Sequence, residues 1–78
     1  MVLREIVARN LRRLRRSKRL SQEELAGRAG INRNYVGMLE REENAATVDM
    51  LETLADVLSV DPIEFLKRPS REASRTKR

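Results

Sequence analysis

The stretch from Leu20 to Glu42, LSQEELAGRAGINRNYVGMLERE, constrains the fold of this chain more than any other. It spells two short helices and the tight turn between them. Ser21 opens Ser-Gln-Glu-Glu, a capping box in which the Ser21 hydroxyl caps the Glu24 amide and Glu24 reaches back to the Ser21 amide. The helix begun there runs from about Gln22 to Ala29, with Leu25, Ala26 and Ala29 on its apolar face. Gly30 stands where a left-handed glycine ends a helix, and Ile31 turns inward after it. Asn32 is a good N-cap for a helix from about Arg33 to Glu42. On that helix Val36 and Leu39 point inward. A rotation of about 100° per residue puts Asn34, Met38 and Arg41 on the opposite side, flanked by Arg33, Tyr35 and Gly37, with Glu40 near the inner edge.

The flanking sequence supplies helices for this pair to pack on. Leu3, Ile6, Val7, Leu11 and Leu14 recur at helical spacing and predict a first helix over about residues 3–18. Thr47 caps a fourth helix whose core stripe is Val48, Leu51, Leu54, Ala55 and Leu58. Asp61-Pro62-Ile63-Glu64 then repeats a start signal, an N-cap followed by Pro at the first position, and predicts a short fifth helix through about Leu66. The expected architecture is all-α, one compact five-helix domain over residues 1–68. Residues 69–78, PSREASRTKR, have no large apolar side chain and are expected to be a disordered basic tail.

Composition narrows the chemistry. The 78 residues contain neither cysteine nor histidine, which removes disulfides, thiolate metal sites and the commonest general base. No Gly-rich phosphate loop is present, and Ser21 is committed to a cap, so an enzyme is not expected, nor a cofactor or a metal. No apolar run reaches membrane-span length, and the N-terminus alternates apolar with charged residues, unlike a signal peptide; a cytoplasmic protein without a membrane partner is the expectation. The net charge of +5 is unevenly placed. Residues 1–19 carry +7, residues 20–66 carry −7, and residues 67–78 carry +5. Such a chain presents one preferred side to a polyanion, unless its basic first helix is only a solvated face.

With these residues in view, the segment resembles the phage repressor–Cro, or XRE, type of helix-turn-helix. The matching positions are Leu20, Ser21, Gln22, Leu25 and Ala26, then Ala29, Gly30 and Ile31, then Leu39, Glu40 and Arg41. The likeness reaches back to Leu11-Arg12-Arg13-Leu14-Arg15 and forward through Leu51-Glu52-Thr53-Leu54-Ala55 to the Asp61–Leu66 element, covering about residues 5–66. The resemblance implies a lambda-repressor-like domain whose third helix lies in the major groove of double-stranded DNA. It implies base reading by Arg33, Asn34, Tyr35 and Met38: Arg33 on guanine O6 and N7, Asn34 on adenine N6 and N7, Met38 against a thymine methyl, and Tyr35 on sugar or phosphate. It implies backbone contacts from Gln22, Arg15 and the loop at Asn44, and a brace between Arg15 and Glu40; Arg41 on the outer side of helix three and Arg19 before helix two are further candidates for the backbone. For Gln22 the alternative is an ordinary first-turn residue, and for Gly37 close approach to DNA stands against neutral drift.

This chain departs from the family pattern in three places. Arg19 stands where a Gly usually ends helix one. Glu42 stands where a Gly usually follows Leu-Glu-Arg, which would let helix three run on. The loop Asn44-Ala45-Ala46 lacks the Arg often found there. Family members of this size suggest a homodimeric transcriptional regulator on a near-palindromic operator, with no small-molecule ligand. Its dimer interface would use Met50, Val57 and Phe65 of helices four and five. Restriction–modification controllers, phage repressors and antitoxins share this core. The competing reading is a protein-interaction module, or an antitoxin-type partner, that keeps the fold with weak or no specific DNA reading. The basic tail is either a flexible phosphate-binding arm or a solubilising end.

Overall fold

The computed structural model describes residues 2–68, so the predicted tail at 69–78 lies outside the described residues. Four α-helices are present among the described residues: α1 (Leu3–Ser17), α2 (Gln22–Ala29), α3 (Arg33–Glu40) and α4 (Val48–Leu58). There is no strand among the described residues. The fifth expected helix, Pro62–Leu66, is instead a single stretch of 3-10 helix. Five residues are too few to establish α-helical hydrogen bonding, and the tighter turn is the usual form of so short a piece.

Local chemistry starts each of these elements after α1. The Ser21 hydroxyl accepts the Glu24 amide at 2.9 Å, and the Glu24 carboxylate accepts the Ser21 amide at 2.8 Å. Asn32 accepts the Asn34 amide, Thr47 the Met50 amide and Asp61 the Ile63 amide. At the start of α1, where residue 2 is valine, only the reverse half of such a box exists: Glu5 accepts the Val2 amide at 2.9 Å.

All four α-helices end in one motif. Two backbone bonds close back onto the last turn, and one residue takes the left-handed conformation. After α1 the bonds are Arg19 N–H to Arg16 C=O and Leu20 N–H to Arg15 C=O. After α2 they run from Gly30 and Ile31, after α3 from Glu42 and Glu43, and after α4 from Ser59 and Val60. The left-handed residues are Arg19 (φ 61°), Gly30 (71°), Glu42 (65°) and Ser59 (57°), three of them not glycine. Arg19 and Glu42 thus take the left-handed conformation that a glycine would adopt most easily. Helix α3 ends at Glu40 and does not run on to Glu42. Strain is accepted at Glu42, where a side chain in this conformation costs of order 1–2 kcal/mol.

The core is built from Leu11 and Leu14 of α1, Leu25 and Ala26 of α2, Val36 and Leu39 of α3, Leu54, Ala55 and Leu58 of α4, and Phe65. Leu3, assigned by its spacing to the core stripe, is 60% exposed and lines an open groove with Val7 and Leu66. Val48, the first residue of the α4 stripe, is likewise exposed. Asn10 occupies a buried place on the α1 stripe, four residues from both Ile6 and Leu14. Its amide donates to the Phe65 carbonyl at 2.9 Å and the Lys67 carbonyl at 2.8 Å. Those bonds tie the C-terminal element to α1 and explain how a polar side chain sits in this core.

Candidate nucleic-acid interface

Glu40, the last residue of α3, is the hub of the site. Its carboxylate is buried and receives three hydrogen bonds: Arg15 Nε to Oε2 at 2.6 Å, Arg15 Nη2 to Oε1 at 3.0 Å, and Gln22 Nε2 to Oε1 at 3.1 Å. Arg15 spends a third donor, Nη1, on the Leu20 carbonyl at 2.8 Å, and Arg12 Nη1 donates to the Glu40 carbonyl at 2.8 Å. Side chains from α1 and the first turn of α2 thus converge on the end of α3. Burial by itself would raise the Glu40 carboxyl, but the Arg15 and Gln22 hydrogen bonds and the charges of Arg15 and Arg12 outweigh it. The carboxyl is held below the ordinary carboxylate range.

The geometry gives each sequence-predicted residue a place. Arg15 and Glu40 meet, as a buried pair. With only 8% of Arg15 exposed and its guanidinium donating inward on three sides, Arg15 is a structural cation, and a role for it on the DNA backbone is not supported. Gln22 is half-buried and joins this network directly. Arg33 and Asn34 are fully surface residues at the start of α3, and neither side chain has a hydrogen-bond partner among the described residues. Tyr35 packs partly against the core, and Met38 is half-buried beside it on the helix. Arg19 is exposed in its left-handed turn. Asn44 is exposed beside an open apolar groove of about 290 Å³, whose lining includes Val7, Leu39, Val48 and Leu51.

Arg41 is exposed and folds back over Gly37. A Cβ at Gly37 would stand 2.9 Å from Arg41 Nη1, so the glycine is a seat for the protein's own guanidinium. Glu43 closes over that guanidinium, with Arg41 Nε to Oε2 at 2.9 Å and Nη2 to Oε1 at 3.2 Å.

One interface residue named from the sequence is corrected. Phe65 is completely buried, behind the carbonyl that Asn10 holds, and cannot meet a second molecule. Met50 and Val57 are half-buried against the same core. The exposed large apolar residues of α4 and the Pro62–Leu66 element are Val48, Ile63 and Leu66. Sequence reasoning also passed over Arg12 and Asn10. The signal for Asn10 was present, as a polar residue at helical spacing on an apolar stripe. None existed for Arg12, whose target is a backbone carbonyl 28 positions away.

Comparison with known proteins bears on this arrangement. Residues 11–65 match the helix-turn-helix family HTH_3, a span that contains Arg15, Gln22 and Glu40 as well as the outer face of α3. The chain is 40% identical over 68 residues to the control protein C.SmaI of Serratia marcescens, covering 87% of this chain and 81% of that protein. Its fold is similar to that of a hypothetical transcription factor from Neisseria, with TM-score 0.86, 34% identity and coverage of 95% and 85% of the two chains. It is also similar to the restriction-modification controller protein C.AhdI from Aeromonas hydrophila, with TM-score 0.76, 37% identity and coverage of 80% and 94%. On the extent of these matches and the helical architecture that carries them, the chain belongs to the helix-turn-helix family.

Proposed function

We propose that this chain is a sequence-specific DNA-binding transcriptional regulator, acting in the cytoplasm as a homodimer on a near-palindromic operator. In this reading α2 and α3 are the helix-turn-helix pair, α3 enters the major groove, and residues 1–68 form the DNA-binding domain. The observation that carries it is a contrast on α3. Its inner end is fixed by the buried Arg15–Glu40–Gln22 network, while the side chains of Arg33 and Asn34 on its outer side make no hydrogen bond among the described residues. Rigid backing behind unsatisfied donors is what base reading needs, because each base pair is told apart by the position of its edge groups. An interaction module that had lost DNA reading would have no use for that combination.

Roles follow from placement. Arg33 and Asn34 read base edges, Met38 and Tyr35 contact the groove wall, and Gln22, Arg19, Arg41 and Asn44 serve the backbone. Gln22 has the further duty of holding Glu40. The similarity to a control protein and a restriction-modification controller protein supports regulation of transcription, and favours the controller class over antitoxins. For the dimer, Ile63 and Leu66 join Met50 and Val57 in place of Phe65.

Substitution of Arg33 tests the reading. Arg33→Ala should cost about 1–3 kcal/mol on the selected site and relax preference at one base pair. Equal loss on all sequences would reduce Arg33 to a phosphate contact. Light scattering at micromolar concentration should find a dimer; a monomer alone would remove the symmetric operator from the proposal.

A further inference from the structure

The residue that follows the left-handed position is apolar at three of the four helix ends: Leu20, Ile31 and Val60, each packed against the core. That is the usual arrangement, since a hydrophobic contact accompanies the motif. At the end of α3 the equivalent residue is Glu43, held there by its amide bond to the Met38 carbonyl at 2.9 Å. An acid at this place forgoes the hydrophobic contact and faces the negative end of the helix dipole. What it gains is Arg41. The guanidinium lies on the Cβ-less surface of Gly37 and is gripped by both Glu43 oxygens, at 2.9 and 3.2 Å. The grip raises the Arg41 guanidinium and lowers the Glu43 carboxyl, in each case chiefly through their mutual hydrogen bonds. Both side chains remain more than half exposed, so a competing anion has access to the pair.

We propose that Glu43 is an internal competitor for DNA phosphate, which parks Arg41 on Gly37 until a backbone phosphate takes the carboxylate's place. The inference rests on the DNA-binding reading above. A phosphate offers the guanidinium the same two-oxygen geometry as a carboxylate, so the exchange keeps its hydrogen bonds. It forms no additional ion pair, and it leaves Glu43 uncompensated near a polyanion. Phosphate contact by Arg41 therefore adds less affinity than a free arginine would supply. The penalty is read most directly in nonspecific complexes, whose affinity comes almost wholly from phosphate contacts. Glu43 thereby sets how much Arg41 contributes to affinity.

The test measures affinity for a labelled duplex of random sequence across about 50–200 mM salt. Glu43→Gln should tighten binding about two- to fivefold at low salt, the range of an exposed ion pair, and steepen the log–log salt slope by about one. Glu42→Gln removes the same charge one residue away and leaves the guanidinium untouched, so it should change both quantities much less. In an Arg41→Ala background the advantage of Glu43→Gln over Glu42→Gln should vanish. Equal effects of the two single variants, or an advantage that survives Arg41→Ala, would overturn the exchange and leave the DNA reading standing. A wild-type chain with no salt-dependent duplex affinity would overturn both.

Discussion

Replacing Glu40 by glutamine would remove one charge from the centre of the Arg15–Glu40–Gln22 network. The side chain keeps its shape, but two of the three hydrogen bonds it receives come from Arg15, through Nε and Nη2. A glutamine amide offers one oxygen there and must turn its own N–H2 toward another donor. Arg15, only 8% exposed, would be left as a buried cation without a counter-charge. Removing one partner of a buried pair costs about 3–5 kcal/mol, because the surviving charge cannot recover its hydration. An exposed pair would give ~0–1 kcal/mol, so burial decides the magnitude. In urea, with a slope of about 1 kcal/mol/M for so small a domain, the midpoint should fall by roughly 3–5 M. Circular dichroism at equilibrium measures it directly. The pair should also be non-additive: Arg15→Met with Glu40→Met together should cost far less than the single changes combined, since both charges are then gone. A loss below about 1 kcal/mol for Glu40→Gln, or strict additivity in the double variant, would refute the argument that burial makes this pair matter.

Further outcomes follow from the same structure. Gly27 lies inside α2 with nothing within 4 Å of where a Cβ would be, so Gly27→Ala should raise stability by about 0.5–1 kcal/mol, read as a higher urea midpoint. Arg19→Gly and Glu42→Gly relieve left-handed strain of about 1–2 kcal/mol each at the expense of a more flexible unfolded chain, for a net gain of about 0.5–1 kcal/mol apiece in the same assay. Acid should destabilise the domain through Glu40. Its carboxyl titrates lower in the folded than in the unfolded chain, so its contribution is present above the ordinary carboxylate value of about 4.3 and is lost as pH falls below it. Unfolding of the wild type at pH 3 and pH 7 should show this difference, and Glu40→Gln should shrink it.

Much of this architecture was legible because its signals are local. Ser21 with Glu24, Asn32, Thr47 and Asp61 each carry the side chain that satisfies an amide two or three residues on, and each does so. Helical periodicity found the stripes of α1 and α4, and misassigned only their first residues, Leu3 and Val48, which are exposed at the rim of an open groove. Other features depended on distant partners. The Pro62–Leu66 element is too short for its period to show which side is buried. Phe65 was therefore placed at an interface, whereas it fills the core, and its carbonyl accepts from an asparagine 55 positions earlier. The end of α3 was read from the lack of a glycine at residue 42. The closing hydrogen bonds hold Glu42 in the left-handed conformation all the same. For the candidate site, the resemblance brought Arg15, Gln22 and Glu40 into view. Their burial and the clamp of Glu43 on Arg41 required coordinates, since a two-residue separation in a loop fixes no geometry by itself.

In the proposed function, the outer face of α3 reads DNA sequence from a symmetric pair of subunits. Selection of bound duplexes from a random pool tests it most directly. Two inverted half-sites with centres about one helical turn apart should be enriched, and Arg33→Ala should lose preference at one position per half-site. A pool that stays random, or a single unpaired half-site, would contradict it.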